Sequence, residues 1–209
     1  MALRTTVKVG SINNLSDARY CAGMGVDILG FCFETEDDKF VEPTIFLSIS
    51  EWLSGVEYMA EFQTYTAQKI EESLEKYEKV QHLQIGNVTD LPLLEKRDTP
   101  ITLSLNASNY SSLGDIADVL QQYHQQVTFF VLENPHELPH LTLSDALHLA
   151  EQYAVLLGFG ITSENVLSLV DNSAIEGIAL KGGDEIKPGY KDFDDLAEIL
   201  EVLEVDEAY

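Results

Sequence analysis

The sequence is poor in basic residues and cysteine, and each shortage excludes a class of protein. Only 12 of its 209 residues are Lys or Arg, against 36 Asp or Glu, so the net charge is −24. Such a surface repels nucleic-acid phosphates and anionic lipids, and we expect neither a nucleic-acid nor a membrane partner. Two cysteines are too few for a disulfide scaffold. The first residues lack the apolar stretch of a secretory signal, so we expect a cytoplasmic protein.

Long apolar runs are absent too, since none reaches the roughly 18 residues of a spanning helix. Short apolar runs instead alternate with longer amphipathic segments along the chain. The runs predict buried strands at 6–12, 27–33, 58–63, 80–85, 101–105, 128–133, 154–160 and 177–180. The amphipathic segments predict helices at 14–24, 43–52, 66–77, 90–96, 113–123, 143–153, 164–170 and 193–203.

Eight strand–helix units in succession predict a parallel sheet with helical crossovers. Eight such units close into a TIM barrel, here a single α/β domain over residues 1–209. The alternative is an open doubly wound sheet with a small second domain. That fold places a G-x-G-x-x-G segment after its first strand, and the sequence has none there. In the favoured barrel, the chemistry lies at the carboxyl ends of the strands.

Several segments resemble a known enzyme family. They are KVGSINNLSDARY at 8–20, GVDILGF at 25–31, KFVEP at 39–43, LQI at 83–85, GFGITSENV at 158–166, GIALKGG at 177–183 and PGYKD at 188–192. In order and spacing they resemble the phosphoribosylanthranilate isomerases, small TIM barrels of tryptophan biosynthesis. The resemblance implies an Amadori rearrangement of an aminoaldose to an aminoketose. That reaction needs a general acid to open the ribose ring and a general base to remove the proton at C2.

Five positions depart from what the resemblance implies. Gly10 stands where the family has its base cysteine, and a glycine cannot accept a proton. Ser11 replaces a family glycine, and Gly86 replaces a histidine. Glu133 stands for the aspartate that acts as the acid, and Lys39 for the arginine that pairs with the anthranilate carboxylate. Lys39 keeps the charge and loses the bidentate fork.

Basic residues and glycines gather around the last strand. Lys181, Lys187 and Lys191 place three of only 12 basic residues within eleven positions. Glycine amides approach an anion closely, lysine supplies charge, and the last two loops of TIM barrels frequently hold phosphate. The predicted phosphate-binding residues are Gly160, Lys181, Gly182 and Gly183. The alternative is a tight turn with solvated lysines.

The remaining candidates each have a structural alternative. Glu133 ends an apolar strand and is predicted to point into the barrel mouth as the acid, or else to pair with Lys8 or Lys181. Lys39 is a candidate partner for a carboxylate, or part of a solvated acidic loop. Cys32 is the one thiol near the absent base.

Cys32 and Ser11 are the two residues that could replace the missing base. Because Phe31 matches the family pattern, Cys32 is expected to face the surrounding helices. Ser11 is the other candidate.

The spacing of the histidines suggests a metal site, but the prolines beside them argue against one. His136 and His140 are four residues apart, with His148 eight further on. Pro135 and Pro139 break any helix that would bring the first two onto one face. We therefore expect no metal and no cofactor.

Two functions remain open. The first is an isomerase of the phosphoribosylanthranilate type, or a near relative acting on a phosphorylated sugar derivative. The second is a pseudoenzyme, a non-catalytic barrel that binds a phosphorylated metabolite or a protein partner. Gly10 separates the two, because the first function requires another base. The expected assembly is a monomer or a homodimer.

Overall fold

Eight parallel strands close into a barrel in the computed structural model of this protein. The structure describes residues 2–94, 97–182, 185–187, 190–191 and 194–205. The barrel strands are β1 (Thr6–Gly10), β2 (Ile28–Cys32), β3 (Glu57–Phe62), β4 (His82–Ile85), β5 (Ile101–Asn106), β6 (Phe129–Glu133), β7 (Val155–Leu157) and β8 (Gly177–Lys181). Each strand pairs with the next, and β8 pairs with β1 from Thr6–Gly177 to Gly10–Lys181. The TIM barrel is confirmed, and the open sheet is wrong.

A helix follows each barrel strand. The helices are α1 (Leu15–Gly23), α2 (Pro43–Trp52), α3 (Ala67–Leu74), α4 (Leu91–Leu94), α5 (Leu113–Tyr123), α6 (Leu143–Ala150), α7 (Val166–Asn172) and α8 (Asp194–Leu203). Two short strands, β9 (Glu185–Lys187) and β10 (Tyr190–Lys191), pair antiparallel between β8 and α8. Within the described ranges, no helix is long and apolar enough to cross a membrane.

Local side-chain chemistry explains where the helices begin. Asn14 caps α1 by accepting a hydrogen bond from the amide of Asp17, and Thr142 and Asp145 form a reciprocal capping box at α6. Pro43 opens α2, where its missing N–H leaves no helical bond unmade. The predicted strand 154–160 is too long, because Gly160 has a φ of +68° and cannot continue a strand.

The main core lies between the barrel and the helices, and aromatic rings fill the sector beside β2 and β3. Phe31 on β2 and Phe33 just beyond its end pack against Phe46 of α2, with ring centroids 5.1 and 5.2 Å from that of Phe46. Tyr77 stacks on Phe33 at 3.5 Å and donates its hydroxyl to the carbonyl of Val41. These contacts show that the odd-numbered residues of β2 face the helices.

The barrel interior is divided into a polar and an apolar half. On β1, β3, β4 and β5, residues of the outer core alternate with buried polar side chains, so the polar ones face the barrel axis. These residues are Lys8, Glu61, Gln84, Thr102 and Ser104. Deeper in the barrel, the interior positions of β6 to β8 are apolar, and Val131, Leu156 and Ala179 form a separate cluster. Glu133 and Lys181 line the interior only at the carboxyl ends of β6 and β8. The polar half opens towards the carboxyl ends of the strands.

We expect truncation of Phe33 to lower the free energy of unfolding by about 3–5 kcal/mol, because Phe33→Ala leaves a cavity within the aromatic sector. Urea unfolding followed by circular dichroism measures it. Trp52→Ala is the control, since Trp52 is 72% exposed and its loss should change stability by no more than about 0.5 kcal/mol. Equal effects of the two variants would contradict this packing.

Candidate active site

A cavity of about 360 Å³ opens at the carboxyl ends of the barrel strands, where TIM barrels carry their chemistry. Six of the residues that line it are charged: Lys8, Asp37, Lys39, Glu61, Glu133 and Lys181. Three of the chain's 12 basic residues therefore meet in one place on a strongly acidic protein. A wider depression of about 650 Å³, beside Arg97 and Gln122, lies near the amino ends of β5 and β6. That end of a barrel serves stability.

Glu61 is the central side chain of the cavity, and sequence reasoning missed it. It projects inward from β3 and is 8% exposed. Its Oε1 accepts a hydrogen bond from Nζ of the buried Lys8 on β1 at 2.5 Å. Its Oε2 accepts the backbone N–H of Ser11 at 3.1 Å. Both oxygens are held, so the carboxylate is fixed in position at the barrel mouth.

The carboxylate of Glu61 lies in space that two glycines leave open. A Cβ at Gly10 would lie 2.6 Å from Oε1 of Glu61, and a Cβ at Gly30 would lie 2.1 Å from the same atom. Neither contact is sterically possible. Glu61 therefore reaches from β3 past β2 to β1 only because both positions lack side chains. An ionisable group thus occupies the place where the resembled family carries its cysteine.

The backbone after β1 is set in a left-handed conformation. Ser11 has a φ of +58°, a region that non-glycine residues rarely adopt and that costs about 1–3 kcal/mol. This conformation lets the Ser11 amide donate to Glu61.

Glu133 lies at the end of β6, as predicted, and its side chain is largely buried at 13% exposure. Its Oε1 is 3.0 Å from Nζ of Lys181, and its Oε2 accepts a hydrogen bond from the Ser104 hydroxyl at 3.3 Å. Of the two partners that the sequence left open, Lys181 is the one observed. Lys8 pairs with Glu61 instead. The cavity therefore holds two lysine–carboxylate pairs.

Lys39 is half-buried and lines the cavity, so its loop is only partly solvated. The loop is shaped by Asp37, whose carboxylate accepts the backbone N–H of Lys39 at 2.7 Å. The neighbouring Glu36 engages Tyr65 and Lys69, and the hydrogen bond from Tyr65 lowers the pKa of Glu36 to about 2. Recognition of a carboxylate by Lys39 stays a prediction.

The predicted phosphate site is only partly assembled within the described residues. Lys181 lines the cavity, whereas Gly160 and Gly182 are not among the described residues that do. The Gly182 amide donates to the carbonyl of Gly10 at 2.9 Å. Asn165 accepts the Thr162 amide and donates to the carbonyl of Gly160. Gly183 lies outside the described residues, and phosphate binding stays a prediction.

The expected orientation of Cys32 is wrong. Phe31 packs against α2, and because side chains alternate along a strand, Cys32 faces the cavity and helps to line it. Burial raises the pKa of its thiol to about 12, so the thiol is protonated at neutral pH. Cys32 therefore does not supply the missing base.

No metal site is found in the described parts of the chain, where no three His, Cys, Asp or Glu side chains are placed to hold an ion. Among the histidines considered, His140 hydrogen-bonds the carbonyl of Ala107 at 3.0 Å, and His148 lies 3.2 Å from Glu151 on the outer surface. Both contacts are structural.

Comparisons with known proteins establish the fold. No protein-family model and no curated protein matches the sequence. Phosphoribosyl anthranilate isomerase from Thermotoga maritima is similar with a TM-score of 0.76 and 21% identity, over 95% of this chain and 98% of that one. A phosphoribosyl anthranilate isomerase in complex with reduced 1-(o-carboxyphenylamino)-1-deoxyribulose 5-phosphate gives the same values. The Thermus thermophilus enzyme gives 0.73 and 20%, with the same coverage. A 3-hexulose-6-phosphate synthase gives 0.66 and 11%, over 96% and 100%.

We expect Gly10→Cys to lower the free energy of unfolding by about 1–3 kcal/mol, because the new Cβ displaces the Glu61 carboxylate. In a Glu61→Ala background the same change should cost less, since the space is then empty. A double-mutant cycle by urea unfolding measures this coupling, expected at about 0.5–3 kcal/mol. Gly23→Cys is the control, because a Cβ there meets nothing within 4 Å. Additive effects of Gly10→Cys and Glu61→Ala would contradict the shared space.

We expect Cys32 to resist iodoacetamide at pH 8 in the folded protein, because only the thiolate reacts and the raised pKa keeps the thiol protonated below about pH 12. Cys21 should resist as well, since it is fully buried. Intact-mass spectrometry counts the alkylated thiols, and the urea-unfolded chain, in which both should react, is the control. Rapid alkylation of the folded protein at pH 7 would restore Cys32 as a candidate base.

Proposed function

We propose that this barrel is an isomerase of the phosphoribosylanthranilate isomerase type, or a near relative, that rearranges a phosphorylated aminoaldose to an aminoketose. One observation carries the proposal: the carboxylate of Glu61 occupies the space above Gly10 inside the cavity. The barrel is similar in fold to isomerases of that type. In the proposal, a base on β3 replaces the missing base on β1.

Glu61 suits the role of general base because its carboxylate is fixed and adjacent to open space. Lys8 and the Ser11 amide hold the two oxygens, and a carboxylate oxygen has lone pairs for a further proton. Lys8 also stabilises the anionic form. A general base acts best when its orientation is fixed in this way.

Glu133 and Lys181 supply the acid in this proposal. The pair delivers a proton to the ring oxygen of the aminoaldose as the bond from C1 to that oxygen breaks and C1 forms a double bond to nitrogen. Glu61 then takes the proton from C2. The electrons of that C–H bond form the C1–C2 double bond, and those of the C1–nitrogen double bond return to nitrogen. The resulting enol becomes the ketone at C2 as C1 gains a proton and the C2 hydroxyl loses one. The reaction is an isomerisation and needs no oxidant or reductant.

The basic residues bind the anionic parts of the substrate in this proposal. Lys39 faces a carboxylate or other polar group at one side of the cavity, and Lys181 lies nearest the predicted phosphate site. Gly160, Gly182 and Gly183 complete that site. The Thermotoga maritima isomerase is described as dimeric, so a homodimer is proposed beside a monomer.

The non-catalytic alternative is favoured by a different observation. Two of the cavity's carboxylates are paired with a lysine, Glu61 at 2.5 Å and Glu133 at 3.0 Å. Such pairs also stabilise a binding site that performs no proton transfer. The two functions therefore predict different effects of removing the charge of Glu61. The isomerase loses turnover, whereas the non-catalytic barrel has no turnover to lose.

We expect the wild-type protein to convert adducts of ribose 5-phosphate with simple amines to ketoses. Glu61→Gln should reduce kcat by about 10²–10⁴-fold, because a general base is lost and the shape of the side chain is kept. Carbon-13 label at C2 reports the ketone by NMR. The amines are anthranilate, aniline, glycine and glycinamide.

The control is Glu57→Gln, a change on the same strand at an exposed carboxylate that contacts His82 outside the cavity. Circular dichroism verifies folding, and Glu61→Asp, which keeps a carboxylate, should retain part of the activity. Absence of ketose from all four adducts with folded wild-type protein would overturn the isomerase in favour of the non-catalytic barrel.

A further inference from the structure

The cavity has no aromatic wall within the described residues. Fifteen residues line it, and Cys32, Ala179 and Leu180 are its only apolar side chains in that part of the chain. The others are charged, carboxamide, hydroxyl or glycine residues. Ligand sites that take flat aromatic groups are usually lined by hydrophobic and aromatic side chains. An aryl substituent would therefore bury its ring against polar groups and leave them without hydrogen bonds.

Carboxamides fill the sector of the cavity wall between the two carboxylates. They lie between Glu61 on β3 and Glu133 on β6. Gln63 follows β3, Gln84 lies within β4, Asn106 ends β5, and Asn109 follows it. A carboxamide donates and accepts hydrogen bonds without carrying charge. This sector is therefore suited to hydroxyl or amide groups.

Gln84 carries a buried polar atom without a partner in this sector. It is 3% exposed and lies beside Glu61 in the register of β3 and β4. Its Oε1 has no hydrogen-bond partner. A buried polar atom without a partner costs about 1–3 kcal/mol, so a group that satisfies it gains affinity.

Gln63 is held in place at the rim of the same sector. Its backbone amide donates to the buried carboxylate of Glu34 at 3.0 Å, and Thr64 and Tyr65 donate to the same oxygen. Its side chain occupies space that Gly86 leaves open, since a Cβ there would lie 2.5 Å from Oε1 of Gln63. An amide thus stands where the resembled family has a histidine.

From these features we infer that the ligand of this cavity is an aminoaldose phosphate whose nitrogen carries a polar, non-aromatic substituent, contacted by Gln84 and Gln63. The inference rests on the proposed function for the phosphorylated aminoaldose part. It differs from that proposal in naming the chemical class of the substituent. An anthranilate group, which is aromatic and charged, is then a poor fit.

Stable analogues test the substituent without any turnover. Reductive amination of ribose 5-phosphate with anthranilate, aniline, glycine and glycinamide gives four N-substituted aminoribitol phosphates, which vary ring and charge independently. Isothermal titration calorimetry of the wild-type protein should show the glycinamide analogue binding at least about tenfold more tightly than the aniline analogue.

Two matched variants separate recognition from structure. Gln84→Leu should raise the urea midpoint or leave it unchanged, because it removes a buried unpartnered atom, and it should abolish most of the tenfold preference. Thr102→Val is the control, since Oγ1 of Thr102 is also buried without a partner but the residue is not among those described as lining the cavity. It should leave the preference intact.

The outcomes separate this inference from the isomerase. Preferential binding of the glycinamide analogue with no rearrangement of any adduct supports the ligand class and removes the isomerase. Equal or tighter binding of the aryl analogues overturns the ligand class, whatever the turnover. Binding of none of the four analogues overturns it too, as does an unchanged preference in Gln84→Leu.

Discussion

The ion pair between Lys8 and Glu61 is the contact on which the barrel mouth depends. It crosses from β1 to β3 inside the barrel, where both side chains are almost fully buried. Removing one partner of a buried pair typically costs about 3–5 kcal/mol, because the other charge is left without compensation. The pair also requires open space at Gly10 and Gly30. Four positions on three strands are therefore constrained together, and none of them can change alone without cost.

This constraint brings a carboxylate from β3 into the space over Gly10 on β1. The same strand ends at Gln63, which fills the space over Gly86 on the strand that follows. At both places a glycine leaves space that a long side chain from the neighbouring part of the sheet fills, Glu61 over Gly10 and Gln63 over Gly86. The sequence shows the glycines and does not show which side chains fill the space.

Much of the fold could be predicted because its signals are local. Helices α2 and α5 begin and end at the predicted residues, since Pro43 and the apolar stripe of 113–123 act within a few positions. The site could be predicted less well, because its contacts join distant strands. One feature of the sequence could have indicated Glu61, since it is the one acidic residue in the apolar predicted strand 58–63. That its side chain passes Gly30 and pairs with Lys8 depends on how three strands are arranged, which no single segment reveals. The family pattern at Phe31 predicts the wrong face for Cys32, because the packing of Phe31 against Phe46 decides which residues of β2 face the helices.

The buried polar side chains in one half of the barrel interior bear on which ligand the cavity binds. Apolar interior residues on every strand, like Val131, Leu156 and Ala179, would stabilise the fold without the cost of burying polar groups. Instead, five polar side chains line β1, β3, β4 and β5, and two of them, Gln84 and Thr102, keep atoms without partners. Lys8, Glu61 and Ser104 have partners within the protein. Gln84 lines the cavity, so a ligand group that pairs with its Oε1 offsets the cost of burying that atom. The same reasoning favours a ligand with hydrogen-bonding groups over one that presents a hydrocarbon ring.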